Sequence, residues 1–225
     1  MRKRLSGIII ALACALGMSS CVSSTVNTSS HPNVSVEEHK SYVDETLSTL
    51  NKAHNIRLKK DVISWGDHWT VYADGEAIGH VHGKPIYFLE VYEFTNLDGV
   101  VIASEEENLE VINATADLKD WQGNQTGSIE QEIISMLAKL RIYRDNKQVG
   151  NIEQKLDLRI NAEITTNDNA EWKLKGKIVT VGADLTLTRL RSDTEIAPLE
   201  AIWSSLILHE ITSPGTKVSS PQRNN

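Results

Sequence analysis

The sequence predicts a mainly β domain of the α+β class, in which a series of hairpins precedes a strongly apolar helix. Four stretches share one form: a short β segment, a polar turn and a second β segment. This is the pattern of a hairpin. Their turns are Asp74-Gly75, Asp98-Gly99, Asp145-Asn146 and Asn167-Asp168-Asn169. Behind them, residues 196–211 carry apolar side chains on nearly every face of a helix, which predicts a helix buried in a core.

The composition excludes several classes of protein. The chain has 225 residues, with 23 Lys and Arg against 30 Asp and Glu, and a formal net charge of -7. A nucleic-acid-binding domain usually needs a basic face, so we expect no nucleic acid partner. The 2 cysteines are too few for a multi-disulfide scaffold or a four-cysteine zinc site.

Residues 1–20 have the pattern of a secretory signal peptide. Basic residues at 2–4 precede an apolar run at Ile8–Leu16, which is too short to span a bilayer. The segment from Met18 to Cys21 resembles the lipobox of bacterial lipoproteins, with Met18 where Leu is usual. The resemblance implies cleavage after Ser20 and a lipid anchor on Cys21, whose acyl chains hold the protein on a membrane.

The residue after the lipobox cysteine also resembles a sorting signal. Val22 follows Cys21 where Asp would be expected in a lipoprotein that is not sorted to the outer membrane. The resemblance therefore implies an anchor in the outer membrane and a domain that faces the periplasm. The alternative is an ordinary cleaved signal peptide with a chance cysteine.

The mature chain is predicted to hold a tether and one globular domain. Residues 21–34 are rich in Ser, Thr and Asn without charges, which predicts a flexible tether. A helix is expected over residues 35–54, because Ser35 and Glu38 form a capping-box pattern and apolar residues recur at helical spacing. We expect the cationic run Arg57–Lys60 to be the solvated end of this helix, or less readily a lipid-headgroup site.

The remaining elements follow from turn signals and periodicity. An inserted helix is predicted from Ser128 to Leu140, with Gln131 completing a capping box, after a loop at Asp117–Gly127. Two further strands are predicted near Lys173–Thr180 and Asp184–Leu190. The globular domain then ends at 212, and residues 213–225 are expected to be a disordered tail.

This arrangement resembles the tubby C-terminal-like fold, and within it the LURF-one-related group. The resemblance lies in the hairpins at Trp69–Gly83, Tyr92–Ala103, Leu140–Gln154 and Glu163–Lys177, followed by the helix at Ile196–Ile211. It implies a closed antiparallel β-barrel over about residues 65–191, wrapped around the hydrophobic C-terminal helix. Tubby proteins bind phosphoinositides through basic residues, and no residue of this chain is matched to such a site.

A histidine pair is the candidate for metal chemistry. His80 and His82 lie two residues apart, so both side chains face one side of a strand. With a third ligand such as His68 they would suit zinc or copper. The alternative is that both are solvent-facing residues of a strand, with no metal bound.

Two further sets are candidates for a ligand or partner surface. Lys173, Lys175 and Lys177 alternate along a strand, so their side chains would form one basic face. This face would contact lipid phosphates. The alternatives are that it faces solvent or that it protects an edge strand from pairing. Trp65 and Trp69 would hold a ligand at the barrel mouth or seal that end of the barrel.

The sequence has no nucleophile elbow, phosphate loop, zinc-protease or dinucleotide motif. We therefore predict a non-catalytic domain without a cofactor, anchored to the membrane through Cys21 and binding an unknown protein partner at the cell envelope. The first alternative is a lipid or hydrophobic-ligand binding protein. The second is a metal-dependent hydrolase that uses His80 and His82.

Overall fold

A computed structural model describes residues 34–61, 67–86, 89–109, 114–134, 137–155, 159–167, 169–177 and 182–212. Over these residues the chain forms two helices and twelve strands. The elements are α1 Val36–Lys52, β1 Asn55–Lys60, β2 His68–Ala73, β3 Glu76–Ile86, β4 Leu89–Asn96, β5 Val101–Leu109, β6 Ala114–Asp120, β7 Gln125–Ile134, β8 Leu137–Arg144, β9 Lys147–Lys155, β10 Arg159–Thr166, β11 Asn169–Lys177, β12 Asp184–Arg189 and α2 Pro198–Thr212.

The strands close into one antiparallel barrel, which confirms the mainly β class and the closed barrel. Each strand pairs with its neighbours in the chain, and β1 closes the ring by pairing with both β2 and β12. Closure leaves no strand without a partner on both sides among the strands that the structure describes. Side chains alternate between the interior and the outer surface along each strand, as in β10, where every second residue is buried.

All four predicted hairpins are present. They are β2–β3, β4–β5, β8–β9 and β10–β11, and each is antiparallel across its predicted turn. Asp145 and Asn146 both have positive φ, at 50° and 59°. Asn and Asp tolerate this conformation better than other residues with a β-carbon, and two such residues make the turn that matches the twist of a hairpin.

The barrel begins earlier than the predicted start near residue 65. Asn55–Lys60, which includes the run expected at a helix end, is strand β1. Ile56 and Leu58 are buried, whereas Arg57 lies outside and donates to the Asp184 carboxylate on β12 at 2.8 and 2.5 Å. The alternation of apolar and basic residues here belongs to a strand, because one face packs in the core and the other meets water.

The predicted helix from Ser128 to Leu140 is wrong. The described residues of this stretch, 128–134 and 137–140, lie in β7 and β8, and the expected loop before them is largely β6, its turn and the start of β7. Ile129 and Ile133 are four residues apart, which fits a helix but also the period of a strand. The strand is formed here because β7 pairs along its length with β6 and β8.

The first helix is α1, and the capping interaction expected for it is present. The Ser35 hydroxyl accepts a hydrogen bond from the Glu38 backbone N–H at 3.1 Å. Val43 and Leu50 on one face are buried against the barrel. The helix therefore lies across one end of the barrel, where β1 begins and β12 ends.

The second helix is α2, and nearly all of its surface is buried. Every residue from Pro198 to His209 except Leu199 is buried. Its residues interact with strands on different sides of the ring. Glu200 pairs with Arg144 of β8, the His209 ring packs against Trp69 of β2, and Glu210 accepts from Tyr92 of β4.

No helix in the part of the chain that the structure describes is both long enough and apolar enough to cross a membrane.

Candidate functional site

A cavity of about 700 Å³ opens at the end of the barrel where α1 ends and α2 begins. We call it the α1 cavity, and this end of the barrel the cavity end. Its volume is within the usual range for sites that hold small molecules. The walls come from α1, from β5 and β6, and from the segment between β12 and α2. Its main apolar lining residues are Val43, Leu47, Ile102, Leu118, Trp121 and Trp203.

The helical wall of the α1 cavity is held in place by His39. Its Nε2 lies 2.8 Å from the carbonyl oxygen of Val101 on β5. The same ring stacks on Trp121, with the ring centroids 4.5 Å apart and the planes at 24°. Val43 follows His39 by one helical turn on the same face. The contacts of His39 therefore fix the side of α1 that lines the cavity.

The β6–β7 turn that carries Trp121 is itself fixed by hydrogen bonds. The Asp120 carboxylate accepts from the backbone N–H groups of Gln122 and Asn124 at 2.9 and 2.8 Å. Gly123 completes the turn with a φ of 83°, a conformation that glycine adopts without strain. Trp121 is thus presented from an ordered turn.

A charged pair fixes the start of α2 beside the α1 cavity. Arg144 donates to the Glu200 carboxylate from Nη2 at 2.6 Å and from Nε at 3.0 Å. The hydrogen bonds that Arg144 donates to Glu200 keep the pKa of Arg144 above its ordinary value. Glu200 also accepts from the Ala197 backbone N–H at 2.7 Å. A carboxylate in the first turn of a helix is favourable, so this pair stabilises the fold rather than offering a vacant charge.

Arg189 lines the α1 cavity and has a buried donor without a partner among the described residues. Its Nη1 donates to the Asn51 carbonyl at the end of α1 at 2.6 Å, and its guanidinium lies 4.8 Å from the centre of the Trp172 ring. Its Nε is buried and has no hydrogen-bond partner in the described part of the chain. A buried donor without a partner costs free energy, and a ligand acceptor would remove that cost.

The other charged groups of the cavity limit what it would accept. Lys119 pairs with Glu106, and the Asp120 carboxylate is engaged in its turn. Asp44 and Glu195 also line the cavity. Because acidic and basic groups are mixed here, the cavity does not suit a highly charged ligand. It suits a molecule with an apolar body and one acceptor group.

The opposite end of the barrel holds the predicted tryptophan Trp69 in a polar network. Trp69 is buried, its ring meets the His209 ring edge-on at 5.0 Å, and Lys60 lies over it at 5.5 Å. The Tyr92 hydroxyl contacts the carboxylates of Asp67, at 3.0 Å, and of Glu210. Trp69 therefore fills this end of the barrel. Trp65 lies outside the described residues.

The predicted histidines come together on the outer surface of β2 and β3. His68 pairs directly across the strands with His82, and their ring centroids are 4.4 Å apart. The His80 ring lies 5.1 Å from that of His68 and 5.9 Å from that of His82. We call these three residues the histidine cluster. In the conformation seen here, no three His, Cys, Asp or Glu side chains of the described chain are arranged to hold a metal ion.

Two of the predicted lysines, Lys173 and Lys175, lie on the outer surface of the barrel. Lys173 and Lys175 alternate with the buried Trp172 and Leu174 on β11. Lys173 stands opposite Glu163 of β10, so the face is of mixed charge. The edge-strand alternative is wrong, because β11 is paired on both sides. The side chain of Lys177 lies outside the described residues, as do the predicted lipidation site Cys21 and cleavage site Ser20.

The sequence did not predict the α1 cavity. Arg144 and Arg189 each end a strand, and nothing in their local pattern sets them apart from other surface arginines. Only ring closure brings the end of α1, the end of β8 and the end of β12 together. A long-range signal of that kind is absent from a single sequence.

No protein-family model matches this chain, and no curated protein has significant similarity to it. The functional proposal therefore rests on the chemistry of the site.

Proposed function

We propose that this protein is a lipid-anchored envelope protein whose barrel binds an amphipathic, lipid-like molecule in the α1 cavity and catalyses no reaction. The observation that carries the proposal is the pairing of an apolar wall with the unsatisfied Nε–H of Arg189. An alkyl chain or ring system would lie along the apolar wall. An acceptor oxygen of the ligand would take a hydrogen bond from Arg189 after that side chain turns its Nε–H toward the cavity.

The position of the cavity supports a membrane-proximal role. The helix α1 begins at Val36, directly after the predicted tether, and packs through His39 and Val43 at the cavity end. An anchor on Cys21 would therefore hold the cavity end within reach of the bilayer from which a lipid-like ligand would come. The proposal that the anchor exists rests on the lipobox resemblance.

The tubby-like arrangement is part of the same proposal. Trp69, Tyr92 and Arg144 belong to β2, β4 and β8, and each contacts α2. Trp172 of β11 donates to the Ile196 carbonyl just before α2 at 3.1 Å. Contacts from four separated strands favour a helix that runs through the barrel. Such a helix would fill the interior and leave the end of the barrel as the place for a ligand.

Ligand binding is tested with a fluorescent fatty-acid analogue, dansyl-undecanoate, added to the purified full chain. Leu47→Trp would fill the cavity and Glu45→Trp would place the same side chain on the exposed face of α1. We expect a rise in dansyl emission with wild type and with Glu45→Trp, and at least a 10-fold weaker affinity with Leu47→Trp. Equal binding by both variants, or no binding by wild type, would overturn the proposal.

A protein partner is the second candidate function, and one observation favours it. The large apolar side chains that are most exposed in the described chain, Val36, Leu97 and Leu190, all lie on elements at the cavity end. Photo-crosslinking from position 97 in cells tests this candidate. A single specific protein adduct, absent when the crosslinker is placed at Lys175 on the barrel wall, would favour a partner over a small molecule.

A further inference from the structure

We propose that His68 and His82 chelate a divalent transition-metal ion, with copper(II) preferred, on the outer wall of the barrel. This site is separate from the α1 cavity and does not depend on the proposed function. Two imidazoles would supply cis nitrogen ligands, and solvent would complete the coordination. His80 lies close enough to add a third nitrogen after rotation of its side chain.

The register of β2 and β3 places the two histidines side by side. The Gly83 N–H donates to the Asp67 carbonyl at 2.7 Å, and His68 and His82 form the next pair along the two strands. Such a pair lies between ladder hydrogen bonds, the position at which facing side chains are closest. The two imidazoles therefore need only torsional rotation to direct a nitrogen each at one ion.

A carboxylate fixes the ring nitrogen that His68 would use. The Asp61 carboxylate contacts His68 Nδ1. An Nδ1–H that donates to Asp61 leaves the lone pair of Nε2 free to face outward. The arrangement is the carboxylate–histidine pair that orients metal ligands and raises their basicity in metalloproteins.

The charged side chains beside the histidine cluster are paired, Asp61 with His68 and Lys84 with Glu93. Lys84 and Glu93 are the nearest charged groups on β3 and β4, and they pair with each other at 2.5 Å. They therefore add little net charge to the site. Imidazole pairs follow the usual affinity order, in which copper(II) binds most tightly.

Copper(II) titration of the full chain tests the proposal. We expect one saturable site by isothermal titration calorimetry. The electron paramagnetic resonance spectrum should show hyperfine splitting from at least two imidazole nitrogens. His82→Ala should abolish that site, and His82→Gln provides a second variant that keeps the side-chain volume. Asp61→Asn should weaken binding by about 10- to 100-fold, because the orienting carboxylate is lost.

His54→Ala is the matched control, because His54 is exposed at the cavity end and far from the histidine cluster in the fold. It should bind copper(II) as wild type does. Copper(II) binding that is unchanged in both His82 variants would overturn the proposal. Wild type without a saturable site, or with a single-nitrogen spectrum, would overturn it as well.

Discussion

His209 is a residue whose ionisation depends strongly on the fold. It lies on α2, is 4% exposed and packs edge-on against Trp69. Burial lowers its pKa to about 4, and the charge of Lys60 acts in the same direction, while Asp67 opposes it. The imidazole is therefore neutral in the folded protein at neutral pH. It contributes to packing at the end of the barrel opposite the cavity end.

This burial makes the stability of the protein depend on pH. In the unfolded chain the histidine binds a proton near pH 6.5, whereas in the folded protein it does so only near pH 4. The unfolded state binds more protons between these values, so stability is lost as pH falls from about 6.5 to about 4. The full shift corresponds to on the order of 3 kcal/mol.

The measurement is the free energy of unfolding by urea at several pH values. His209→Asn should reduce the slope of that free energy against pH between 6.5 and 4, whatever its effect on stability at neutral pH. His54→Asn, at an exposed site, should leave the slope as it is in wild type. Identical slopes for wild type and His209→Asn would show that other groups carry the pH dependence.

At the scale of elements, α1 is attached to the barrel at a few points, and His39 makes two of them. The imidazole bonds the Val101 carbonyl and stacks on Trp121. A third attachment is Arg189, which donates to the carbonyl of Asn51 at the other end of the helix. The helix is thus held near both of its ends, with the α1 cavity between it and the rim of the barrel.

Removing the His39 side chain should loosen α1 without unfolding the barrel. His39→Ala loses one hydrogen bond and one aromatic contact, so we expect a loss of about 1–2 kcal/mol in the free energy of unfolding. Amide exchange should rise in residues 36–52 and stay constant in the strands, measured by mass spectrometry. His54→Ala serves as the control. Uniformly raised exchange in every strand would contradict a local role for His39.

The sequence predicted elements well where a local signal has one interpretation. Two-residue hairpin turns need positive φ, which Asp, Asn and Gly tolerate. Asp74-Gly75 and Asp145-Asn146 have positive φ and form hairpin turns in the barrel. The prediction was wrong where the spacing of apolar residues fits both the period of a helix and the period of a strand. Ile129 and Ile133 suit a helix or a strand, and the choice is made by pairing of β7 with β6 and β8, which depends on residues elsewhere in the chain.

At the scale of the whole molecule, the candidate sites differ in how far they could be predicted. His80 and His82 lie on one strand, so their shared face follows from their spacing, and the register of β2 then adds His68. The α1 cavity depends on the closure of β1 onto β12 and on the approach of α1 to α2. No local sequence pattern contains that information, so the cavity can be identified only in the three-dimensional structure.

The proposed lipid anchor would decide where the whole molecule works, and the proposal rests on one cysteine. If Cys21 carries the lipid, wild type grown with labelled palmitate should incorporate the label and fractionate with the outer membrane. Cys21→Ser should incorporate none and should not fractionate with the outer membrane, because an unlipidated chain lacks the acyl groups that give stable binding. Cys14→Ser is the matched control, since that cysteine lies within the predicted signal peptide and its replacement should leave labelling intact.

Equal labelling of wild type and Cys21→Ser, or none in either, would contradict the anchor. In that case the cavity end would no longer be held near a bilayer, and a ligand would have to reach the α1 cavity from solution.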